Sequence, residues 1–289
     1  KDIDAEKWYT YVGDLETYNT EVAGGEGSDP VDFLGGYVFH SGSLAAETFL
    51  FTDEAFTVDT GDGANTVNGG AGNNFVKTGL GADTINLTTG NNVIISEAGA
   101  NVINVTSGNN FIITGLGADS ITATFGDNII DAGDGANTIT VTSGNNTIFT
   151  GAGADNITTA GDAMSTNTIK AGDGANTITT GAGRDHITGG INADTISSGA
   201  GNDTVFAGDG ANTITTGDGD DVIHTGVDVD TVSAGVGDDK IYIYDGTDTI
   251  SAGSGNDTLI VEYGNAVAAV SVNSLSGNVE NGYSGNVSG

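Results

Sequence analysis

Cysteine is absent from this chain, and proline occurs once in 289 residues. Without thiols there are no disulfides and no thiolate zinc or iron–sulfur sites. Basic residues are almost as scarce: Lys and Arg number six against 39 Asp and Glu, a formal charge of −33. That balance excludes nucleic acid as a partner, and it drives the compact chain apart unless cations neutralise it. Hard cations are the natural counterions, because carboxylates and backbone carbonyls are the ligands they take. No apolar run reaches the roughly 18 residues that a bilayer-spanning helix needs. The opening KDIDAEKW has no apolar core of a signal peptide. His40, His186 and His224 lack HExxH spacing, and the glycine-rich stretches lack the lysine of a phosphate loop. Asp pairs recur at a fixed interval rather than forming one asymmetric couple in a cleft. The expectation is therefore a protein without catalytic activity.

What the chain has instead is glycine, 49 residues of it, and a repeat. The nonapeptide AGDGANTIT stands verbatim at 132–140, 171–179 and 207–215. A nine-residue frame set at Thr60 runs to Ile260 as 21 units of nine and one of twelve, residues 159–170. The eighth place is Ile, Val or Leu in every unit and the sixth is always Asp or Asn. The fourth is Gly except in the twelve-residue unit, 189–197 and 225–233. A period this short leaves room for one strand and one turn per unit. An aliphatic residue flanked by polar ones is a short strand, and Gly-x-Gly-x-Asx before it is a turn that needs positive φ.

Odd and even units differ. Odd units carry Ala at the fifth place up to 211, whereas even units up to 149 carry Asn or Asp there, as in VTSGNNFII. Two nonapeptides thus make one eighteen-residue coil, each coil giving one strand to each of two parallel sheets. The 22 units make 11 coils, a rod on the order of 50 Å long at about 4.8 Å per coil. Its thin core of Ile and Val would hardly offset the entropy of ordering so much glycine.

The units TGAGRDHIT, SGAGNDTVF, TGDGDDVIH, AGVGDDKIY and AGSGNDTLI resemble the Gly-Gly-x-Gly-x-Asp-x-U-x nonapeptide of the repeats-in-toxin (RTX) family. The resemblance implies an all-β, right-handed parallel β-roll that holds Ca2+ in rows between successive turns. It also implies that the sixth-place Asp side chain and turn carbonyls bind the ion. The ligands carried over are Asp83, Asp119, Asp155, Asp185, Asp194, Asp203, Asp221, Asp230, Asp239, Asp248 and Asp257. On the odd side the sixth place alternates between Asn and Asp from Asn65 to Asn212. In four of the five Asn units the third place is Asp: Asp62, Asp134, Asp173 and Asp209. The repeated AGDGANTIT thus reads as the alternate form of a calcium turn, with its carboxylate relocated, and these four join the expected ligands. Even turns up to 149 lose carboxylates and are expected to stack Asn side chains in a ladder. From 180 onward they are ordinary calcium turns, so more ions are expected in the C-terminal half of that side.

The outward places predict two surfaces. Odd strands present Thr-x-Thr pairs such as Thr138/Thr140 and Thr177/Thr179, similar to the faces of β-solenoid ice-binding proteins. Even strands present Phe75, Val93, Ile95, Phe111, Ile113, Ile129, Phe149, Phe206 and Tyr242, an apolar row that something should cover. The candidates are the segment 1–56 or a second molecule.

Three segments follow: an aromatic-rich cap at 1–56, the β-roll at 57–260, and a strand-like segment at 261–289 leading to a further block. Similar strand-like segments occur between RTX blocks, so the chain reads as one block of a longer, tandem protein. The functional expectation is a secreted, calcium-dependent structural or adhesive segment at the cell surface: an S-layer, matrix fibre or adhesin. A type I secretion route goes with the resemblance. The alternatives are the carbohydrate-binding or folding module of a secreted enzyme, and ice binding.

Overall fold

The computed structural model describes residues 45–52 and 55–261, together with the strand backbone at 31–33, 271–274 and 278–280. Among the described residues all regular structure is β-strand. It forms one fourteen-stranded and one thirteen-stranded sheet, every pairing parallel, with odd units in the first and even units in the second. We call them the threonine sheet and the aromatic sheet. Each strand pairs with its counterpart one coil away: Ile103, Ile121 and Ile139 are successive partners in the threonine sheet, and Ile112, Ile130 and Ile148 in the aromatic sheet. The architecture is a parallel β-solenoid whose turns repeat at the eighteen-residue interval of two nonapeptides.

The register also holds beyond the nonapeptides. Thr48–Phe51 pairs with the strand that begins at Thr66, and Val31–Phe33 pairs with Thr48–Phe51. At the other end Ser271–Ser274 and Asn278–Glu280 add one strand to each sheet. The sheets are thus longer than the eleven strands each that the nonapeptides alone supply. Phe49, Phe51 and Phe56 are buried in the first coils, with Phe51 and Phe56 stacked at 3.8 Å between centroids. The cap expected over residues 1–56 otherwise lies outside the described residues, as does most of 261–289.

Alternation fixes what is inside. The eighth-place aliphatics are all at most 1 % exposed and form the continuous core. A slip of one residue would turn that row to solvent, so register is strongly specified. This is visible at the twelve-residue unit, where the pairing interval lengthens from eighteen to twenty-one without loss of phase: Ile148 meets Ile169 and Ile157 meets Ile178. The three additional residues are looped out, leaving Met164 88 % exposed.

Glycine at the fourth place is required by contact as well as by conformation. Gly117 has φ +140, and a Cβ there would collide with the Gly99 carbonyl of the coil before. The two nine-residue units without this glycine place Asn192 and Asp228 at the same point, both at φ 84, the only non-glycine residues with positive φ among those described. Asn and Asp are the side chains that tolerate the left-handed region.

Gly117→Ala should destabilise the calcium-loaded roll by about 2–4 kcal/mol, because backbone carbonyl cannot move aside. Ala118→Ser, one residue on and exposed, should stay within about 0.5 kcal/mol. Thermal midpoints by circular dichroism separate the two; equal midpoints would rule out the contact argument.

Candidate metal-binding turns

The sixth-place residue of each turn faces inward and is at most 2 % exposed. Its Oδ1 accepts the backbone N–H of the sixth residue in the coil before. Asp119 accepts from Asn101 at 2.8 Å, Asn137 from Asp119 at 3.0 Å, Asp203 from Asp185 at 2.8 Å and Asp239 from Asp221 at 2.9 Å. This N–H points along the rod axis into the interior, where leaving it unpaired is costly. Asp and Asn are the side chains short enough to bring an sp² oxygen there, which explains why no other residue occupies the place.

The second atom of the side chain separates two kinds of turn. In odd Asn turns it is an amide nitrogen that donates to the turn's own carbonyls. Asn65 Nδ2 reaches the Gly61 and Gly63 oxygens at 3.1 Å each, and Asn137 reaches those of Gly133 and Gly135 at 3.2 Å each. In Asp turns the second atom is an oxygen, Oδ2. It is buried without a hydrogen-bond partner at Asp83, Asp119, Asp155, Asp185, Asp194, Asp203, Asp221, Asp230, Asp239 and Asp248. Asp257 is buried at the same place. A buried carboxylate oxygen without a donor needs a proton or a cation. Burial pushes the Asp203 and Asp230 carboxyls up from the ordinary 3.8 to about 7, and those of Asp194, Asp239 and Asp248 to about 6. Asp83, Asp119, Asp155 and Asp221 rise for the same first reason.

The donor set fits Ca2+, which takes carboxylate and carbonyl oxygens at flexible geometry. Among the described residues no group of three or more His, Cys, Asp or Glu side chains converges. Backbone carbonyls must therefore complete any such site, and a transition-metal centre built from side chains is not favoured. First-place hydroxyls, not foreseen from the sequence, lie beside several of these carboxylates. Those of Thr114 and Thr216 help to hold down the rise at Asp119 and Asp221. Their signal was a Thr five residues before the Asp.

The relocated carboxylates stand elsewhere. Asp62 is half-buried and Asp134, Asp173 and Asp209 are exposed, all on the outer rim of the odd turns. Asp62 Oδ1 accepts the N–H of Leu80 at 2.9 Å and Asp134 Oδ1 that of Ala152 at 2.8 Å. Their charges contribute to the rise at Asp83 and Asp155 in the next coil. A third-place carboxylate and the following coil's sixth-place carboxylate thus bear on the same stretch of edge.

On the even edge the Asn ladder is present. Nδ2 of Asn74, Asn92, Asn110 and Asn128 each donates to Oδ1 of the next Asn at 2.8–3.0 Å, and Asn146 does so to Asn167 at 3.0 Å. The outward rows are also as expected in position. Thr138, Thr140, Thr177 and Thr179 are exposed, whereas Phe75, Ile95, Phe111, Ile113 and Phe149 are half-buried, Phe149 lying in register between Asp131 and Lys170. Further along the aromatic sheet Phe206, His224 and Tyr242 stack at 4.5 and 4.2 Å, and His224 Nδ1 lies 3.0 Å from the Tyr244 hydroxyl. His224 is therefore part of a stack, whereas His186 is exposed and meets Phe206 edge-on at 5.5 Å between centroids.

Strands of one phase, inward carboxylates and turn carbonyls define a repeat solenoid built to hold cations at its edges. The family model of the RTX calcium-binding nonapeptide repeat matches in stretches from 59–94 to 242–265, and the chain belongs to that family. Neither a curated protein nor a solved structure matches it.

The raised carboxyls give a pH dependence with a definite sign. Each binds its proton more tightly in the fold than in the unfolded chain, so metal-free stability is fullest below about pH 4 and is lost as pH rises through 6 to 7. Calcium competes for the same oxygens, so its affinity should climb through that window. In chelator the thermal midpoint should be higher at pH 5 than at pH 8, and in millimolar calcium the order should reverse. The same order in both would refute the assignment of cations to these oxygens.

Proposed function

We propose that this chain is part of a secreted protein of structural or adhesive character at a cell surface, such as an S-layer, matrix fibre or adhesin. In this reading many calcium ions, one for each inward carboxylate, staple the coils. The observation that carries it is the row of buried Asp Oδ2 atoms without partners. At the low calcium of a cytosol these atoms and a formal charge of −33 oppose compaction wherever inward carboxylates crowd together. Millimolar calcium outside turns the same charge into binding energy that is also folding energy.

Lateral assembly is the second part of the reading. Phe75, Val93, Phe111 and Ile129 are successive partners along the aromatic sheet, with Ile95 and Ile113 alongside. A second copy laid along this stripe would cover it at matching intervals, because both copies have the same strand spacing. The carbohydrate alternative needs free ring faces, and in the Phe206–His224–Tyr242 stack the rings are placed against each other. The exposed Thr pairs of the other sheet support ice binding as a further reading, for which faceted ice growth is the test.

Calcium titration followed by circular dichroism and light scattering on the same samples tests the assembly. Scattering should grow after the β signal is complete, and the double substitution Phe111→Asp with Ile113→Asp should abolish scattering while sparing the calcium-induced signal. Undiminished scattering from that variant would remove the stripe as the contact.

A further inference from the structure

The two halves of the roll are held together by different chemistry, and the division falls at the twelve-residue unit. On the even edge from Asn74 to Asn146 the inward amides satisfy themselves. Asn92 Oδ1 accepts the Asn74 N–H at 3.1 Å and the Asn74 amide at 2.8 Å. Its own Nδ2 donates to the Gly90 carbonyl at 2.9 Å and to Asn110 Oδ1 at 2.8 Å. Both donors and both lone pairs are used, and Asn110 and Asn128 repeat the pattern. The atom that would be a carboxylate oxygen in a calcium turn is here an N–H2 group aimed at a carbonyl. A cation would find a positive dipole in its place.

Packing beneath this edge differs in the same sense. The first places of the even units include Leu87, Val105, Ala123 and Val141 in this half, and Thr180, Ser198, Thr216, Ala234 and Ala252 in the other, all buried. The larger apolar groups supply burial where no ion is needed. On the odd edge of the same coils the inward carboxylates Asp83, Asp119 and Asp155 are separated by Asn101 and Asn137. They stand two coils apart, about 10 Å. On the even edge beyond the twelve-residue unit Asp185, Asp203, Asp221, Asp239 and Asp257 follow in successive coils, about 5 Å apart. Like charges at that spacing in a dry interior strongly oppose folding until cations arrive. The two regimes meet where Asn167 Nδ2 donates to Asp185 Oδ1 at 2.9 Å.

We propose that the coils from Asn74 to Asn167 form a stem that stays folded without calcium, and that calcium zips the C-terminal coils onto it starting at Asp185. This rests on the reading of the Asp turns as calcium sites. In a solenoid each coil touches only its neighbours, so a folded stem acts as a template for propagation. It also removes the slow step of nucleating a parallel sheet from an open chain.

Hydrogen–deuterium exchange of the whole chain, in chelator and in millimolar calcium, tests the division. Backbone amides of 75–149 should be protected in both conditions, and those of 186–259 only in calcium. Replacing Asn92, Asn110 and Asn128 together by Asp should strip protection from the stem in chelator and restore it in calcium. Replacing Asp203, Asp221 and Asp239 together by Asn should extend protection in chelator past residue 200. Protection in chelator that is uniform along the wild-type chain, whether present or absent, would overturn the stem, as would a triple Asn→Asp variant that keeps it. Native mass spectrometry separates the two layers of the argument. If no calcium is bound, the underlying reading fails; if ions bind but protection does not divide at the twelve-residue unit, only the stem fails.

Discussion

One hydrogen bond recurs at every rung and the rest of the molecule is arranged around it: the backbone N–H of a sixth-place residue donated to the side-chain oxygen of its counterpart one coil on. It is the point where a turn, which has left the sheet ladder, is still tied to the next turn. Because the bond needs an inward oxygen at short reach, it restricts the place to Asp and Asn. The glycines before it let the chain turn that residue inward, and the aliphatic residue two places later returns the chain to the sheet.

Given that bond, the choice between Asp and Asn decides the electrostatics of each edge. Asn brings two donors, which on the even edge the carbonyl of its own turn and the next amide consume, and the inward group is neutral and complete. Asp brings a second acceptor that is buried without a donor, and the turn is unfinished without a cation or a proton. The same backbone therefore serves as a self-sufficient corner or as half of an ion site. A difference of one atom in the side chain is enough to switch it.

Much of this was legible in the chain. The unbroken aliphatic eighth place and the Asx sixth place gave the sheets, the coil length and the inward rows, and all of these side chains are buried. The Asn ladder was legible from the loss of carboxylates in the even turns. The rim position of Asp62 and Asp134 was less so, because a count of carboxylates per turn does not say which side of the backbone they leave from. Strands such as Thr48–Phe51 extend both sheets without the nonapeptide, since pairing needs matching phase and not matching letters. The stacking of His224 follows from three ninth-place residues in adjacent coils, a proximity that only the coil period reveals.

The fourth-place glycines have a mechanical meaning as well. Where each stacks against the carbonyl of the glycine below, as Gly117 does on Gly99, nothing compressible lies between coils along that line. The spacing of the rungs is then a property of bare peptide and does not depend on what the two outer faces display. Those faces amount to a ruled grid whose pitch stays fixed while its lettering is free to change. A molecule of this kind can drift from one surface chemistry to another, polar on one side and apolar on the other, and still present every group at a constant interval.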